Sequence, residues 1–167
     1  MEGIKYINKI REYCDYVEEH LLNIDKSWKT LQTVCSDMPF MYDDYLYWSI
    51  DGMVQHHDVS KMSHEEFIPY QQNFFPVGEK DPSLFRLAWQ HHLECNPHHW
   101  EKWTTTKERM PNEQYAHCVC MIIDWMAMGL KFGDTAEKYY KANRDKIELP
   151  EWAEKFIGEI FERLRKV

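Results

Sequence analysis

The chain contains 167 residues, carries a formal net charge of −8 at pH 7, and is 44% hydrophobic and 15% aromatic. This length is that of one ordinary domain, and the apolar content argues against disorder. The negative charge argues against a surface that wraps duplex nucleic acid, and no apolar run approaches the roughly 18 residues that span a bilayer. The polar amino terminus does not resemble a signal peptide, and the five cysteines include no CxxC pair. We therefore expect a cytoplasmic protein with reduced thiols and no membrane partner.

Apolar residues at helical spacing predict helices along the first half of the chain. A first helix over about 4–34 is predicted by one stripe with steps of three and four: Ile7, Ile10, Cys14, Val17, Leu21, Ile24, Trp28 and Leu31. Asp43 or Asp44 is predicted to cap a second helix, which runs to about residue 57. Ser63 and Glu66 have the spacing of a capping box for a third helix, which ends near residue 75.

The second half of the chain repeats this pattern of capping residues and prolines. Further helix starts are predicted at Asp81-Pro82, Asn96-Pro97, Pro111, Asp134 with Glu137, and Pro150. The chain has no good run of alternating β-branched residues, so we expect no substantial sheet. The sequence therefore predicts an all-α fold, a single compact irregular bundle of about seven or eight helices over residues 1–167.

Six of the nine histidines fall in three adjacent pairs, at positions 56–57, 91–92 and 98–99. Imidazole suits Zn, Fe, Mn and Ni ions, and so does a neighbouring carboxylate such as Asp58. His57 lies eleven residues after Leu46 on the apolar face of the second predicted helix, so we expect it to point inward. His20 lies on the inward stripe of the first helix, where a hydrogen-bonded core histidine is the alternative to a metal ligand.

Asp124 stands among apolar neighbours in the segment MIIDWMAM. Burial of an unpaired carboxylate costs several kcal/mol, so this residue must be protonated, paired with a basic side chain or bound to a cation. Because histidines are available elsewhere in the chain, we favour metal ligation.

The two later histidine pairs are harder to orient. His91 shares a helical face with Leu84 and Leu87, so the phase favours His91 over His92 as the inward residue. The helix that holds His98 and His99 is too short for phase to choose between them, and histidines at a helix start can also be exposed to solvent.

Together these residues resemble the HD-domain superfamily of metal-dependent phosphohydrolases. Its pattern is a histidine on an early helix, a His-Asp doublet that ends a second helix, and an aspartate on a later helix; two-metal members add histidines before that aspartate. In this chain the pattern consists of His20, His57-Asp58, the cluster from His91 to His99, and Asp124. The segment HDVSK matches the frequent HDxxK form with Lys61 in the lysine position, and HHWEKW is similar to the paired-histidine motif of two-metal members.

The segments HHDVSKMSHEEFIPY and AWQHHLECNPHHWEKW are more closely similar to a poorly characterised HD-like family found in phages and bacteria. That family favours His92 as the ligand of its pair, against the phase argument, and we follow the family. The glycine-rich continuation of cyclic-dinucleotide phosphodiesterases is replaced by TTTKERMP, which argues against such a substrate.

The resemblance implies one or two divalent transition-metal ions, drawn from Mn, Fe, Co, Ni and Zn. The implied ligands of one ion are His20, His57, Asp58 and Asp124, and those of a second are Asp58, His92 and either His98 or His99. A metal-activated water would then hydrolyse a small phosphorylated substrate, a nucleotide being the leading candidate.

Asp58, Lys61 and Glu101 are the predicted catalytic residues under this hypothesis. Lys61 would offset charge on the phosphoryl oxygens, and Glu65, Glu66 or Glu101 would orient a ligand histidine or shuttle a proton. For Glu66 a role as a helix cap is favoured, and Lys61 can equally be a surface lysine.

Lys141 and Arg144 belong to a late cluster of positive charge that can line a phosphate entrance or form an ordinary solvated helix face. Two other functions stay open: an HD-like di-iron oxygenase that acts on a small polyol or phosphonate, and a non-catalytic metal-stabilised binding protein. No sequence feature predicts an oligomeric state.

Overall fold

The computed structural model describes residues 2–105 and 111–166, and the regular secondary structure of these residues is entirely helical. The segment 106–110, which holds most of TTTKERMP, lies outside the described residues. The eight α-helices of the described chain are α1 (Glu2–Val34), α2 (Asp44–Gln55), α3 (Phe67–Phe74), α4 (Pro82–Cys95), α5 (Trp100–Trp103), α6 (Pro111–Phe132), α7 (Ala136–Ala142) and α8 (Glu151–Leu164). Two 3₁₀ turns, Pro39–Met41 and Val59–Met62, complete the regular structure. These residues contain no strand, which confirms the all-α prediction.

The described residues divide into two compact units. The first unit consists of Met1–Glu19 and Asp58–Asn96, and the second consists of His20–His57 and Pro97–Val167. The chain passes from one unit to the other within α1, at the peptide bond between His57 and Asp58, and again after Asn96.

The core of the second unit is built around α6, which packs against α2, α5, α7 and α8. Eight consecutive α6 residues, 116–123, are buried, so this helix is covered on every face over that stretch. Within the described part of the chain, no single helix is long and apolar enough to cross a membrane, whereas α6 and α7 pass that test together as a pair bent by 99°.

The core of the first unit is smaller and rich in aromatic rings. Tyr13 and Val17 of α1 are buried together with Tyr70 of α3 and Ala88 of α4. The helices α3 and α4 pack on each other, and both also contact the 3₁₀ turn Val59–Met62. This packing brings Asp58, at the start of that turn, into the same unit as the histidines of α4.

The phase of α1 differs from the predicted stripe at alternate positions. His20 is buried, as expected, and Tyr13 is buried outside the predicted stripe, whereas Cys14 and Leu21, which the stripe places inward, are exposed. Ile7 is exposed as well. The buried positions still step by three and four, but the stripe includes aromatic and polar residues that a purely aliphatic pattern passes over.

Several predicted helix starts are confirmed and others are wrong. Asp43 caps α2 by accepting a hydrogen bond from the backbone N–H of Leu46, and Asp81 caps α4 in the same way. The capping box is wrong, since the side chain of Glu66 makes no capping hydrogen bond to α3. The structure also corrects the two later caps: His99 rather than Asn96 precedes α5, and Thr135 rather than Asp134 caps α7.

Candidate metal centres

Three histidines and one aspartate converge in the interior of the second unit. His20 comes from α1, His57 from the turn that follows α2, His98 from the segment before α5, and Asp124 from α6. All three histidines are buried, and the side chain of Asp124 is 17% exposed. Because four separate segments each supply one donor group, this cluster is a product of the tertiary fold and not of one local motif.

The distances within this cluster are those of atoms that can share one cation. Oδ1 of Asp124 lies 3.4 Å from Nε2 of His20 and 3.8 Å from Nε2 of His57. Donor atoms of His57, His98 and Asp124 all lie within 4.8 Å of one another. A cation with donors at about 2.1 Å separates neighbouring donors by about 3.0 Å in an octahedron and about 3.4 Å in a tetrahedron. The cluster therefore fits a divalent metal ion with little movement of its side chains.

The electrostatic environment of Asp124 favours its ionised form. Burial alone would raise the pKa of this carboxyl, but the neighbouring imidazoles of His57, His20 and His98 hold the pKa well below its ordinary value. The rings of His57 and His98 are stacked, with their centroids 4.4 Å apart. An ionised carboxylate among imidazoles is a donor set that Mn, Fe, Co, Ni and Zn accept.

In the first unit, Asp58 is held in a conformation that is uncommon for residues other than glycine. Its φ is 54°, in the left-handed region, which Asp tolerates better than most side chains. Asp58 is buried, and its Oδ2 lies 2.5 Å from Nζ of Lys61 in an ion pair that is almost fully shielded from solvent. The left-handed residue turns the chain sharply after α2 and directs this carboxylate into the first unit.

The second oxygen of Asp58 faces His92, whose ring orientation is fixed by a hydrogen bond between its other nitrogen and Glu66. Oδ1 of Asp58 lies 3.4 Å from Nε2 of His92, and Nδ1 of His92 lies 2.8 Å from Oε2 of Glu66. The tautomer that donates from Nδ1 to Glu66 directs the Nε2 lone pair toward Asp58. A carboxylate behind a histidine is the arrangement that holds and polarises metal-ligating imidazoles.

Further polar contacts hold these groups in place. Asn96 donates to Oγ of Ser60 at 2.6 Å and to the backbone carbonyl of His92 at 2.9 Å. Burial alone would raise the pKa of Glu66, but hydrogen bonds from His92, His91 and Ser60 keep this pKa below its ordinary value. Glu66 is therefore an anion inside the protein, paired with two imidazoles.

The structure places His92 inward and leaves the side chain of His91 32% exposed, so the phase argument at this pair is wrong. Leu84 and Leu87, which set that phase, are themselves exposed, whereas Ala88 is buried and lies one turn before His92. The family resemblance selected the buried member of the pair.

Three further predicted site residues, His98, His99 and Glu101, differ in how deeply they are buried. His98 is buried and belongs to the Asp124 cluster, whereas His99 is half-buried, with its ring 4.4 Å from that of His98. Glu101 is half-buried, and burial raises its pKa. Its Oε2 has no hydrogen-bond partner among the residues that the structure describes.

Lys141 and Arg144 have the contacts of a solvated helix face. Lys141 pairs with Glu137 at 2.7 Å and is largely exposed. Arg144 pairs with Glu154 and lies over the ring of Tyr140. These surface ion pairs favour the solvated surface over the phosphate entrance, the two roles expected for Lys141 and Arg144.

Glu66 and Asn96 are functional candidates whose positions the sequence misassigned. Both have the residue type and spacing of helix caps, and that local interpretation assigned them to helix starts. The structure uses both side chains to hold His92 instead. Glu66 was also one of the three glutamates expected to orient a ligand histidine, although a role as a helix cap was favoured for it.

Fold and site together define an all-helical protein with buried clusters of imidazole and carboxylate that can hold divalent metal ions. The chain belongs to the DUF5662 family, a family of unknown function whose model matches residues 9–166. No curated protein and no solved structure matches the chain.

Proposed function

We propose that the protein is a metal-dependent phosphohydrolase that acts on a small nucleotide or a related phosphoester. The observation that carries this proposal is the position of Lys61 in the first unit. Its ammonium group lies 2.5 Å from one oxygen of Asp58, while the other oxygen of Asp58 faces Nε2 of His92 at 3.4 Å. Enzymes of phosphoryl transfer use a positively charged side chain together with metal ions to stabilise charge on the phosphoryl oxygens. Lys61 beside the donor atoms of Asp58 and His92 is such a combination.

The donor groups fit the metal ions that the proposal needs. Asp58 and His92 supply one oxygen and one nitrogen in the first unit, and the Asp124 cluster supplies a second donor set in the second unit. When bound, a divalent transition-metal ion lowers the pKa of a coordinated water and so provides a nucleophile near neutral pH.

Each residue of the first unit has a separate task in this scheme. Glu66 keeps the proton of His92 on Nδ1 and fixes the direction of Nε2. Asp58 is held between a ring nitrogen and an ammonium group, so its carboxylate cannot rotate freely. Lys61 provides positive charge for a phosphoryl oxygen as negative charge develops on it.

The charge balance of the chain supports a small substrate. The net charge of −8 repels a polyanion at long range, whereas one fixed lysine can attract a single phosphate group at short range. The low exposure of Lys61, 12% for its side chain, strengthens that local interaction because less water screens it.

The test is a nucleotide panel assayed for phosphate release by metal-depleted protein reloaded with Mn, Fe, Co, Ni or Zn. Lys61→Met is compared with Lys9→Met, because Lys9 forms an exposed i,i+3 ion pair with Glu12 in the same unit. We expect Lys61→Met to lower kcat by about 10²–10³ while it retains metal, and Lys9→Met to match the wild type.

Two results would overturn the proposal. One is the absence of hydrolysis of every nucleotide, phosphomonoester or phosphodiester, with every metal, measured as phosphate release and as product formation. The other is oxygen uptake by iron-loaded protein without hydrolysis, which would establish the di-iron oxygenase alternative.

A further inference from the structure

We propose that His91 and Cys95, with Glu66 as the carboxylate that holds His91, form a separate binding site for a thiophilic divalent cation, with Zn²⁺ as the representative ion, on the solvent-facing side of α4. The donor atoms of these three residues lie within 4.8 Å of one another. The site is distinct from the Asp58–His92 pair, since it uses the exposed histidine of the 91–92 doublet. It does not depend on the proposed phosphohydrolase activity.

The spacing of His91 and Cys95 on α4 makes them a natural chelating pair. Residues four apart lie one above the other on a helix, and Sγ of Cys95 is 3.7 Å from Nε2 of His91. A tetrahedral Zn²⁺ with a Zn–S bond of about 2.3 Å and a Zn–N bond of about 2.1 Å separates its sulfur and nitrogen ligands by about 3.6 Å. Sγ of Cys95 also lies 3.8 Å from Nδ1 of His91, so the separation matches the ion, and a rotation of the partly exposed His91 ring and the Cys95 side chain has to aim both donors at it.

Glu66 determines which ring nitrogen of His91 can bind. Oε1 of Glu66 lies 2.7 Å from Nδ1 of His91, so the tautomer that donates to this carboxylate keeps the proton on Nδ1 and leaves the Nε2 lone pair available to an ion. Glu66 is fully buried, and its other oxygen is bonded to His92, so it is a rigid support. The exposed side of the pair leaves room for water to complete the coordination.

The ligand chemistry separates this site from the two buried centres. Cys95 is an exposed free cysteine, and binding replaces its thiol proton, which passes to solvent as the metal–sulfur bond forms. Thiolate favours Zn²⁺, Co²⁺ or Cu⁺ over Mn²⁺ or Mg²⁺, whereas the buried donors are only nitrogen and oxygen.

The experiment titrates the metal-depleted full chain with Co²⁺ in a non-thiol reductant and records the thiolate-to-cobalt charge-transfer band in the near ultraviolet. We expect the band in the wild type. In Cys95→Ser and in His91→Gln we expect the band to disappear and the amount of bound cobalt to fall by one equivalent. Cys14→Ser is the matched control, because Cys14 is the other exposed cysteine of the first unit. It should retain both the band and the full stoichiometry.

Circular dichroism and thermal melting confirm that each variant is folded. No band in the wild type, or a band that survives in folded Cys95→Ser, would overturn the proposal. Asp124→Asn should keep the band, which shows that the signal comes from the outer site. A wild type that shows the band but releases no phosphate from any nucleotide would overturn only the proposed hydrolase function.

Discussion

Substitution of Glu66 by glutamine should weaken metal binding at the Asp58–His92 pair without a change of side-chain size. The native carboxylate accepts hydrogen bonds from ring nitrogens of His91 and His92 at 2.7 and 2.8 Å. An amide can accept at only one of its two positions, and its NH₂ group would donate to Nδ1 of one histidine. The proton of that ring then moves to Nε2, where it blocks a cation.

The magnitude of the Glu66→Gln effect follows from the two charge-assisted bonds. Each is worth about 1.5–3 kcal/mol, so the loss of one and the weakening of the other should lower the free energy of unfolding by about 2–4 kcal/mol. Loss of a carboxylate that supports a ligand histidine should lower metal affinity about 10–100-fold.

The assays are urea unfolding of metal-free protein and Co²⁺ binding, both in a Cys95→Ser background so that the outer site does not contribute. Glu65→Gln is the control, because Glu65 is an exposed neighbour whose side chain forms a hydrogen bond with Ser63. If Glu66→Gln and Glu65→Gln behave alike in both assays, the support of His92 by Glu66 is wrong.

Two further predictions concern the second unit. The pKa of Asp124 is depressed, so its carboxylate should stabilise metal-free protein above the unfolded value of about 3.9 and lose that effect as the pH falls through the folded pKa. Wild type should therefore exceed Asp124→Asn in urea stability at pH 7 and converge with it in strong acid; equal stability at pH 7 would contradict this. A Cβ on Gly129 would lie 2.7 Å from the backbone oxygen of Asp134, whereas one on Gly52 meets nothing within 4 Å. Gly129→Ala should lower the free energy of unfolding by about 1–3 kcal/mol and Gly52→Ala should not, as thermal melting can measure; equal effects would refute the close packing at Gly129.

The fold class and most helix bounds were predictable because they depend on local patterns. Asp43 and Asp81 lie where their caps were predicted, since an N-cap needs only a short side chain and the next turn of backbone. Inward positions were harder: Tyr13 of α1 is buried, whereas Cys14 and Leu21, which the aliphatic stripe places inward, are exposed. A single helical stripe contains no information about the segments that cover it.

The candidate site was predictable in composition but not in arrangement. The placement of His57 and Asp124 near one another could be expected from phase and from the cost of burying a carboxylate. The role of Asn96 could not be expected, and that of Glu66 was only one of several options, because both residues match helix-cap signatures that act within a few residues. Their actual partners lie on α4, and only the tertiary packing of α3 against α4 brings Glu66 to His91 and His92.

The central claim is that buried imidazoles and carboxylates of this chain bind a divalent transition metal. X-ray absorption at the cobalt edge, on cobalt-loaded Cys95→Ser protein after gel filtration, tests it most directly. We predict retained cobalt with a first shell of nitrogen and oxygen at about 2.0–2.2 Å and the outer-shell scattering of imidazole rings, which decreases in His57→Gln. Loss of all cobalt on the column, or a shell of oxygen alone without imidazole scattering, would contradict the claim.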